Sequence, residues 1–326
     1  PHDVTYTITP TYNGCSGSPL VVTVTVFPAT VLSVVPAFPV SCSGQNVVIN
    51  LVGNVPGISF TWTASAVGNV TGYTNGSGST ISQTLINNDN VPRLVTYAVM
   101  MSMNGCTDGP TNFIVTVNPI PAVTNNPVSS SQCSGATFNL ALASSVAGTT
   151  YTWTANGTPG ITGYAGGNTA TINQTLLNPT STPGSVVYTI TPTANACSGT
   201  PVDYTLTVNP NPVEILSLNS QSICSGTAIT PVTFNSPVTG TTYSWTAAPS
   251  GPGISGYTAS GTASIPAQTI NNTTTIQGTV SYTVTPSYNG CTGTSATHVA
   301  TVNPLPSVTN ASMSQTICNG ATSSVV

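Results

Sequence analysis

The stretch Val186-Val-Tyr188-Thr-Ile190-Thr-Pro192 decides the fold, because apolar side chains alternate in it with threonine and because it recurs along the chain. A strand with one face in a core and the other in solvent shows this alternation. Two close copies and one diverged copy, Val95-Thr-Tyr97-Ala-Val99-Met-Met101, make four occurrences. Each precedes a cysteine, at spacings of 91, 91 and 94 residues: Cys15, Cys106, Cys197 and Cys291.

A second set of cysteines keeps the same spacing and opens a Cys-Ser-Gly or Cys-Asn-Gly segment: Cys42, Cys133, Cys224 and Cys318. A period of about 91 residues is too long for a solenoid unit and suits a whole small domain. We expect complete repeats at 28–118, 119–209 and 210–303, the C-terminal part of a truncated repeat at 1–27, and the N-terminal part of a further repeat at 304–326. Further repeats and any export signal are expected outside this sequence.

Aromatic residues two positions apart mark a central strand in each repeat: Phe60/Trp62, Tyr151/Trp153 and Tyr243/Trp245. About seven short strands in about 90 residues, a central Trp and no helical periodicity predict an all-β chain of tandem immunoglobulin-like β-sandwiches. The expected core aromatics are Trp62, Trp153, Trp245, Tyr6, Tyr97, Tyr188 and Tyr282.

The repeats meet at short Val-Asn-Pro-x-Pro segments, of which Val117-Asn-Pro119-Ile-Pro121 is one. Proline fixes an extended backbone and cannot act as a floppy Gly/Ser tether. The sequence therefore predicts a linear, semi-rigid rod.

Charged residues make up 2% of the chain, with Arg93 as the one basic side chain and no lysine. Nucleic acids and anionic lipids need clustered Lys and Arg, so neither is an expected partner, and Lys-Asn isopeptide cross-links are excluded. A hydrophobic fraction of 39% argues against disorder. Threonine, serine and asparagine must supply solubility, which fits a secreted surface protein.

A catalytic or metal site is not evident, since the chain has two histidines and five scattered acids. His298 falls in an inward strand register and is expected in the core. A Gly-Tyr pair recurs at Tyr73, Tyr164 and Tyr257. We interpret the pairs as turns with the ring laid on the sandwich, in preference to a glycan-stacking platform. No enzyme activity, cofactor or membrane insertion is expected.

Cys-Ser-Gly, Tyr-x-Trp, Tyr-Thr-Ile/Val-Thr-Pro, Asn-Gly-Cys and Val-Asn-Pro together resemble the PKD-like and Ig-like tandem repeats of giant Bacteroidota cell-surface proteins. The resemblance covers the entire chain. It implies export by the type IX system, a place on the bacterial outer surface and a relation to gliding-motility adhesins. The Gly-Asp-Gly signature of standard PKD domains is absent.

Two cysteines per repeat in an exported protein predict disulfides. Pairing within each repeat would close loops of 64, 64 and 67 residues (Cys42–Cys106, Cys133–Cys197, Cys224–Cys291). Pairing across one linker, as in Cys15–Cys42, is a second arrangement. In an Ig-like sandwich the Cys-Ser-Gly and Asn-Gly-Cys segments lie at opposite poles, which would favour a third, between neighbours: Cys42–Cys197 and Cys133–Cys291. We favour pairing within repeats, because each module would then be a self-contained oxidised unit.

The function expected from these features is a non-enzymatic, extracellular stalk or filament segment of a large bacterial surface adhesin, acting as a disulfide-stabilised spacer. Its partners would be neighbouring repeats of the same chain, with surface glycans or identical chains as further candidates. The alternative is a carbohydrate- or surface-binding module array attached to a secreted enzyme.

Overall fold

A computed structural model describes residues 1–308 and 316–322, and every regular element in these ranges is a β-strand. The strands form one hairpin followed by three two-layer sandwiches, each with its own apolar core. The predicted all-β array of tandem β-sandwiches is therefore confirmed.

The N-terminal hairpin consists of β1 (His2–Ile8), β2 (Thr11–Tyr12), β3 (Cys15–Ser16) and β4 (Leu20–Val26). β1 and β4 pair antiparallel, with Tyr6 opposite Val22. The Tyr6 side chain is 55% exposed, so its prediction as a core residue was wrong. No second layer covers this hairpin among the described residues, whereas the equivalent Tyr97 lies between two sheets and is 1% exposed.

Module 1 denotes the first complete sandwich. Its strands are β5 (Leu32–Val35), β6 (Val40–Cys42), β7 (Asn46–Gly53), β8 (Ser59–Val67), β9 (Val70–Thr71), β10 (Gly76–Ser77), β11 (Thr80–Thr84), β12 (Ile86–Asn87), β13 (Arg93–Met103) and β14 (Cys106–Asn118). One sheet has the order β10-β8-β13-β14-β6 and faces the three-stranded sheet β11-β7-β5. β6 runs parallel to β14, while the other pairings are antiparallel.

Module 2 repeats this plan with fewer strands. They are β15 (Ser129–Cys133), β16 (Thr137–Ala141), β17 (Thr150–Gly157), β18 (Thr171–Thr175), β19 (Gly184–Ala194), β20 (Cys197–Ser198) and β21 (Val202–Asn209). The larger sheet has the order β15-β21-β19-β17, with β15 parallel to β21, and the smaller is β16-β18.

The larger sheet of module 3 is arranged like that of module 1, in the order β23-β32-β30-β26-β28. Its strands are β22 (Ile215–Leu216), β23 (Ser220–Cys224), β24 (Thr227–Ala228), β25 (Phe234–Asn235), β26 (Thr242–Pro249), β27 (Ile254–Ser255), β28 (Ser260–Thr262), β29 (Thr269–Asn272), β30 (Gly278–Tyr288), β31 (Cys291–Thr292) and β32 (Ala296–Asn303).

The repeated aromatic residues lie in the three cores. Trp62, Trp153, Trp245, Tyr97, Tyr188 and Tyr282 are all buried. Each tyrosine hydroxyl donates to a glutamine side chain, at 2.6 Å from Tyr97 to Gln83 and at 2.8 Å from Tyr188 to Gln174. Burial raises the pKa of all three tyrosines to about 12. The aromatic core is thus neutral at any physiological pH.

His298 and the Gly-Tyr pairs are also structural parts of the sandwiches. His298 is fully buried, with Nδ1 2.8 Å from the Leu218 carbonyl oxygen, and burial lowers the pKa of the imidazole. Gly72 precedes Tyr73, has a φ of +89°, and its Cα lies so near the Thr84 carbonyl oxygen that a Cβ would overlap it. The Tyr73 ring then packs against the core of module 1.

Candidate functional site: the joints between modules

Two disulfides cross from one module to the next. Cys42 bonds Cys197 and Cys133 bonds Cys291, with Cα atoms 5.6 and 5.4 Å apart. The favoured pairing within repeats was therefore wrong, and Cys106 and Cys224, predicted as disulfide members, carry exposed free thiols. Cys15 and Cys318 are also free and exposed.

The position of Cys42 explains why pairing within a module fails. β6 runs parallel to β14 and sets Cys42 beside Asn118, the last residue of β14, whereas Cys106 is the first residue of that 13-residue strand. An extended strand of this length separates its ends by roughly 40 Å, while a disulfide needs Cα atoms within about 7 Å. The cysteine that lies at this pole is Cys197, in the β19–β20 turn of module 2.

A buried asparagine holds each Cys-Ser-Gly turn in place. In module 2, Asn178 donates from Nδ2 to the carbonyl oxygens of Thr182 (2.9 Å) and Val208 (2.7 Å). Its backbone N–H donates to Ser134 Oγ at 2.9 Å, which fixes the serine of the turn. Asn87 and Asn272 make the equivalent bonds in modules 1 and 3.

Sequence reasoning missed these asparagines. The available signal was their spacing, since Asn87, Asn178 and Asn272 recur at the 91- and 94-residue intervals of the second cysteine of each repeat. Their serine partners lie 44 or 47 residues earlier in the chain.

The Asn-Gly-Cys turn, which reads Asn-Ala-Cys in module 2, presents the other cysteine of each bond. Asn195 and Ala196 both have positive φ, 49° and 62°, which is the conformation of a tight type I′ hairpin turn. Across the joint, Asn118 Nδ2 donates to the Asn195 carbonyl oxygen at 3.2 Å. The bonded Cys197 is 1% exposed. This turn therefore docks against the preceding module and buries its cysteine, while Asn195 and Ala196 stay exposed.

Close backbone packing completes these joints. We call the contact between modules 1 and 2 the second joint and that between modules 2 and 3 the third joint. At the second joint Gly199 lies so close to the Pro121 carbonyl oxygen that a Cβ would overlap it, and Gly293 has the same relation to Pro212 at the third. The linker prolines of both joints are buried: Pro119, Pro121, Pro210 and Pro212.

The first joint, between the hairpin and module 1, is built differently. Its linker reads Val26-Phe27-Pro28-Ala29-Thr30, and Asp108 stands where the other joints have Gly199 and Gly293. Thr30 Oγ1 donates to Asp108 Oδ2 at 2.9 Å. An open cavity of about 410 Å³ lies between the hairpin and the Cys106 turn.

The third joint carries a poorly solvated carboxylate. Glu214 follows the linker at the position that Val123 holds in module 2 and Leu32 in module 1, where both pack against a core. Neither Glu214 oxygen makes a hydrogen bond of normal geometry among the described residues. Burial raises the pKa of Glu214 to about 7, with a small opposing effect of the Ala296 N–H.

Groups for metal or ionic chemistry are sparse. Within residues 1–308 and 316–322, no three His, Cys, Asp or Glu side chains are grouped as a metal site. Among the described residues Arg93 forms an ion pair with Asp89. The backbone N–H of Asn69 and, to a smaller extent, the Arg93 side chain lower the pKa of Asp89. The same ranges hold no apolar helix of bilayer-spanning length.

Comparison with known families gives one match that runs along the chain. The family described as PKD-like domain matches residues 1–30, 39–121, 126–212 and 221–306. No curated protein matches the sequence.

Comparison with solved structures gives matches of low sequence identity and low TM-score. Protocadherin Gamma B2 extracellular cadherin domains 3-6 are 12% identical with a TM-score of 0.31, covering 94% of this chain and 84% of that one. Sidekick-1 immunoglobulin domains 1-5 are 11% identical (TM-score 0.33; 85% and 60% covered). The human Desmocollin-1 ectodomain is 10% identical (TM-score 0.30; 92% and 67% covered).

Proposed function

This chain belongs to the PKD-like domain family, and we propose that it is a non-enzymatic, extracellular spacer that limits its own extension under tension. The observation that carries the proposal is that Cys42–Cys197 and Cys133–Cys291 both cross joints and overlap along the sequence. Disulfides persist in oxidising compartments outside the cytosol, which supports an extracellular location.

Overlapping bonds shorten the covalent path between the chain ends. A pulling force would reach Cys42, cross to Cys197, run back to Cys133 and cross to Cys291. About 140 residues lie on this path, so complete unfolding would extend the oxidised chain to about 490 Å, compared with about 1,100 Å for the reduced chain. The two disulfides thus keep the fully unfolded spacer to less than half of the length that the reduced chain reaches.

Single-molecule force spectroscopy of the full chain, held by tags at both ends, tests this proposal. We expect final extensions of about 490 Å for the oxidised chain and about 1,100 Å after phosphine reduction. The single variants Cys42→Ser and Cys133→Ser should both reach about 580 Å, because either remaining bond shortens the path by a similar amount. Equal extensions before and after reduction would contradict the proposal.

The finer part of the proposal places the spacer in the stalk of a large bacterial surface adhesin. Support comes from the tandem family match, the proline linkers and the low charge. The repeated rings of Tyr73, Tyr164 and Tyr257 pack against the cores, which weighs against a repeated glycan-binding platform. Negative-stain electron microscopy should show thin rods, and compact globules would refute the stalk.

A further inference from the structure

Cys224 of module 3 occupies the same backbone site as the two bonded cysteines of the Cys-Ser-Gly turns. The parallel strand pair at each C-terminal pole sets Cys42 opposite Asn118, Cys133 opposite Asn209 and Cys224 opposite Asn303. The thiol of Cys224 is therefore held at the pole of its module by the same sheet register.

The supporting bonds of this turn are also in place. Ser225 N–H donates to the Asn303 carbonyl oxygen at 2.8 Å, as Ser43 does to Asn118. Ser225 Oγ accepts from the Asn272 N–H at 2.8 Å, which repeats the buried-asparagine support of the other modules. The turn is thus built before any partner is bound.

The surroundings of Cys224 differ from the bonded sites in the ways that a missing neighbour would produce. Asn118 is buried and donates across the second joint, whereas Asn303 is part exposed and donates to Ser222 Oγ of its own module at 3.0 Å. Pro306 is exposed although its counterparts Pro121 and Pro212 are buried. Both polar and apolar groups of the joint are uncovered here.

We propose that Cys224 is the covalent attachment site for the Asn-Gly-Cys turn of a further PKD-like module joined behind Pro304-Leu-Pro306. The linker there has the spacing of Pro119-Ile-Pro121, so the next module would lie against module 3 as module 2 lies against module 1. The internal bonds Cys42–Cys197 and Cys133–Cys291 are the precedents for this partner. The proposal extends the bonding pattern and does not depend on the spacer role.

The chemistry is thiol oxidation by exchange. The Cys224 thiolate attacks a low-molecular-weight disulfide and releases one thiol, and the partner cysteine thiolate then displaces the second. One sulfur–sulfur bond forms, one is broken, and the two protons and two electrons of the cysteine thiols end on the two released small thiols.

A direct test inserts a second copy of residues 210–303 directly after Asn303 in the full chain. After refolding with a small disulfide and blocking with N-ethylmaleimide, peptide mapping without reduction should find Cys224 bonded to the inserted copy of Cys291. In the matched control, Cys291→Ser is made in the inserted copy only, and Cys224 should be fully labelled. Labelled Cys224 in the unmodified insert, with both internal bonds present, would overturn the proposal.

A second variant keeps the test decisive if the inserted module does not fold. Deleting residues 119–209 places module 3 directly behind module 1. If the position in the array determines pairing, Cys42 should bond Cys291 while Cys224 stays labelled. Bonding of Cys224 to Cys291 within module 3, or a free Cys42, would overturn the proposal.

Discussion

The first and second joints connect equivalent points of the repeat by different means. At the second joint a glycine, Gly199, lies against the carbonyl oxygen of Pro121, and a disulfide closes the contact. At the first joint the same two positions are Asp108 and Thr30, whose side chains make a hydrogen bond. The two pairs are alternatives: at one joint the backbones approach closely at a glycine, and at the other two polar side chains make a hydrogen bond.

The largest effect on any joint should come from removing the buried side-chain amide beneath a Cys-Ser-Gly turn, which Asn178 supplies at the third joint. Asn178→Ala removes the Nδ2 donor from the carbonyl oxygens of Thr182 and Val208, while the backbone N–H that binds Ser134 Oγ stays in place. We expect the free energy of unfolding of module 2 to fall by about 3 to 4 kcal/mol. Urea unfolding followed by tryptophan fluorescence measures it.

Asn211→Ala is the matched control for Asn178→Ala. The exposed Asn211 side chain donates to the Ser134 carbonyl oxygen of the same turn at 3.0 Å. Because water can replace that bond, we expect a loss of about 0.5 kcal/mol. Similar losses in the two variants would show that the buried asparagine has no special role.

Gly199→Ala should weaken the second joint by about 2 to 3 kcal/mol, because the new Cβ meets backbone, which cannot rotate away. The variant should also slow formation of the Cys42–Cys197 bond, which thiol labelling during refolding can follow. Gly251→Ala is the control, since no atom lies within 4 Å of a Cβ there. Bond formation at the same rate in both variants would rule out close packing as a requirement of the joint.

Glu214→Val should remove a pH dependence of stability that we expect at the third joint and not at the second. Burial raises the pKa of Glu214 from 4.5 in the unfolded chain to about 7 in the folded protein. Folding therefore favours the neutral carboxyl, whose contribution to stability is complete below about pH 4.5 and is lost as the pH rises through 7. At pH 8 the valine variant should be more stable by about 1 to 2 kcal/mol. Urea unfolding at pH 5 and pH 8 gives the comparison.

Glu214→Gln separates charge from polarity in that experiment. The amide cannot ionise, so the difference between pH 5 and pH 8 should disappear, while the amide remains less favourable than valine at a poorly solvated site. An unchanged pH dependence in both variants would exclude Glu214 as its source.

The smallest effect is expected at the first joint. Thr30→Val and Asp108→Ala each remove one partner of an exposed hydrogen bond. A double-mutant cycle measured by thermal unfolding should give a coupling energy of about 0.5 kcal/mol. A coupling as large as the Gly199→Ala effect would mean that the first joint is as tightly built as the second.

The sequence was sufficient for the sandwich, because alternation around Tyr188 and the paired Tyr151 and Trp153 fixes which faces are buried. It was not sufficient for the disulfide pairing. Chain entropy varies only with the logarithm of loop length, so it does not distinguish a 64-residue loop from a 155-residue one. The deciding fact is that β6 pairs parallel with the end of β14, a long-range contact without a local signal.

Two other outcomes show what a local sequence pattern does not predict. Tyr6 has the same strand context as Tyr188, yet it is exposed, because burial requires a second sheet that the pattern of one strand cannot supply. Asn178 lies in a polar stretch that resembles any loop, and only its partners reveal its role. Strand propensity is local, whereas satisfaction of buried polar groups is a property of the assembled fold.

The overlap of the two disulfides also bears on proteolysis. Every peptide bond between Cys42 and Cys291 lies inside at least one of the two closed loops. A protease that cuts once anywhere in this range leaves the fragments linked, and cuts on both sides of module 2 still leave three fragments in one molecule. In a medium rich in secreted proteases, a nicked chain of this kind keeps its two ends connected.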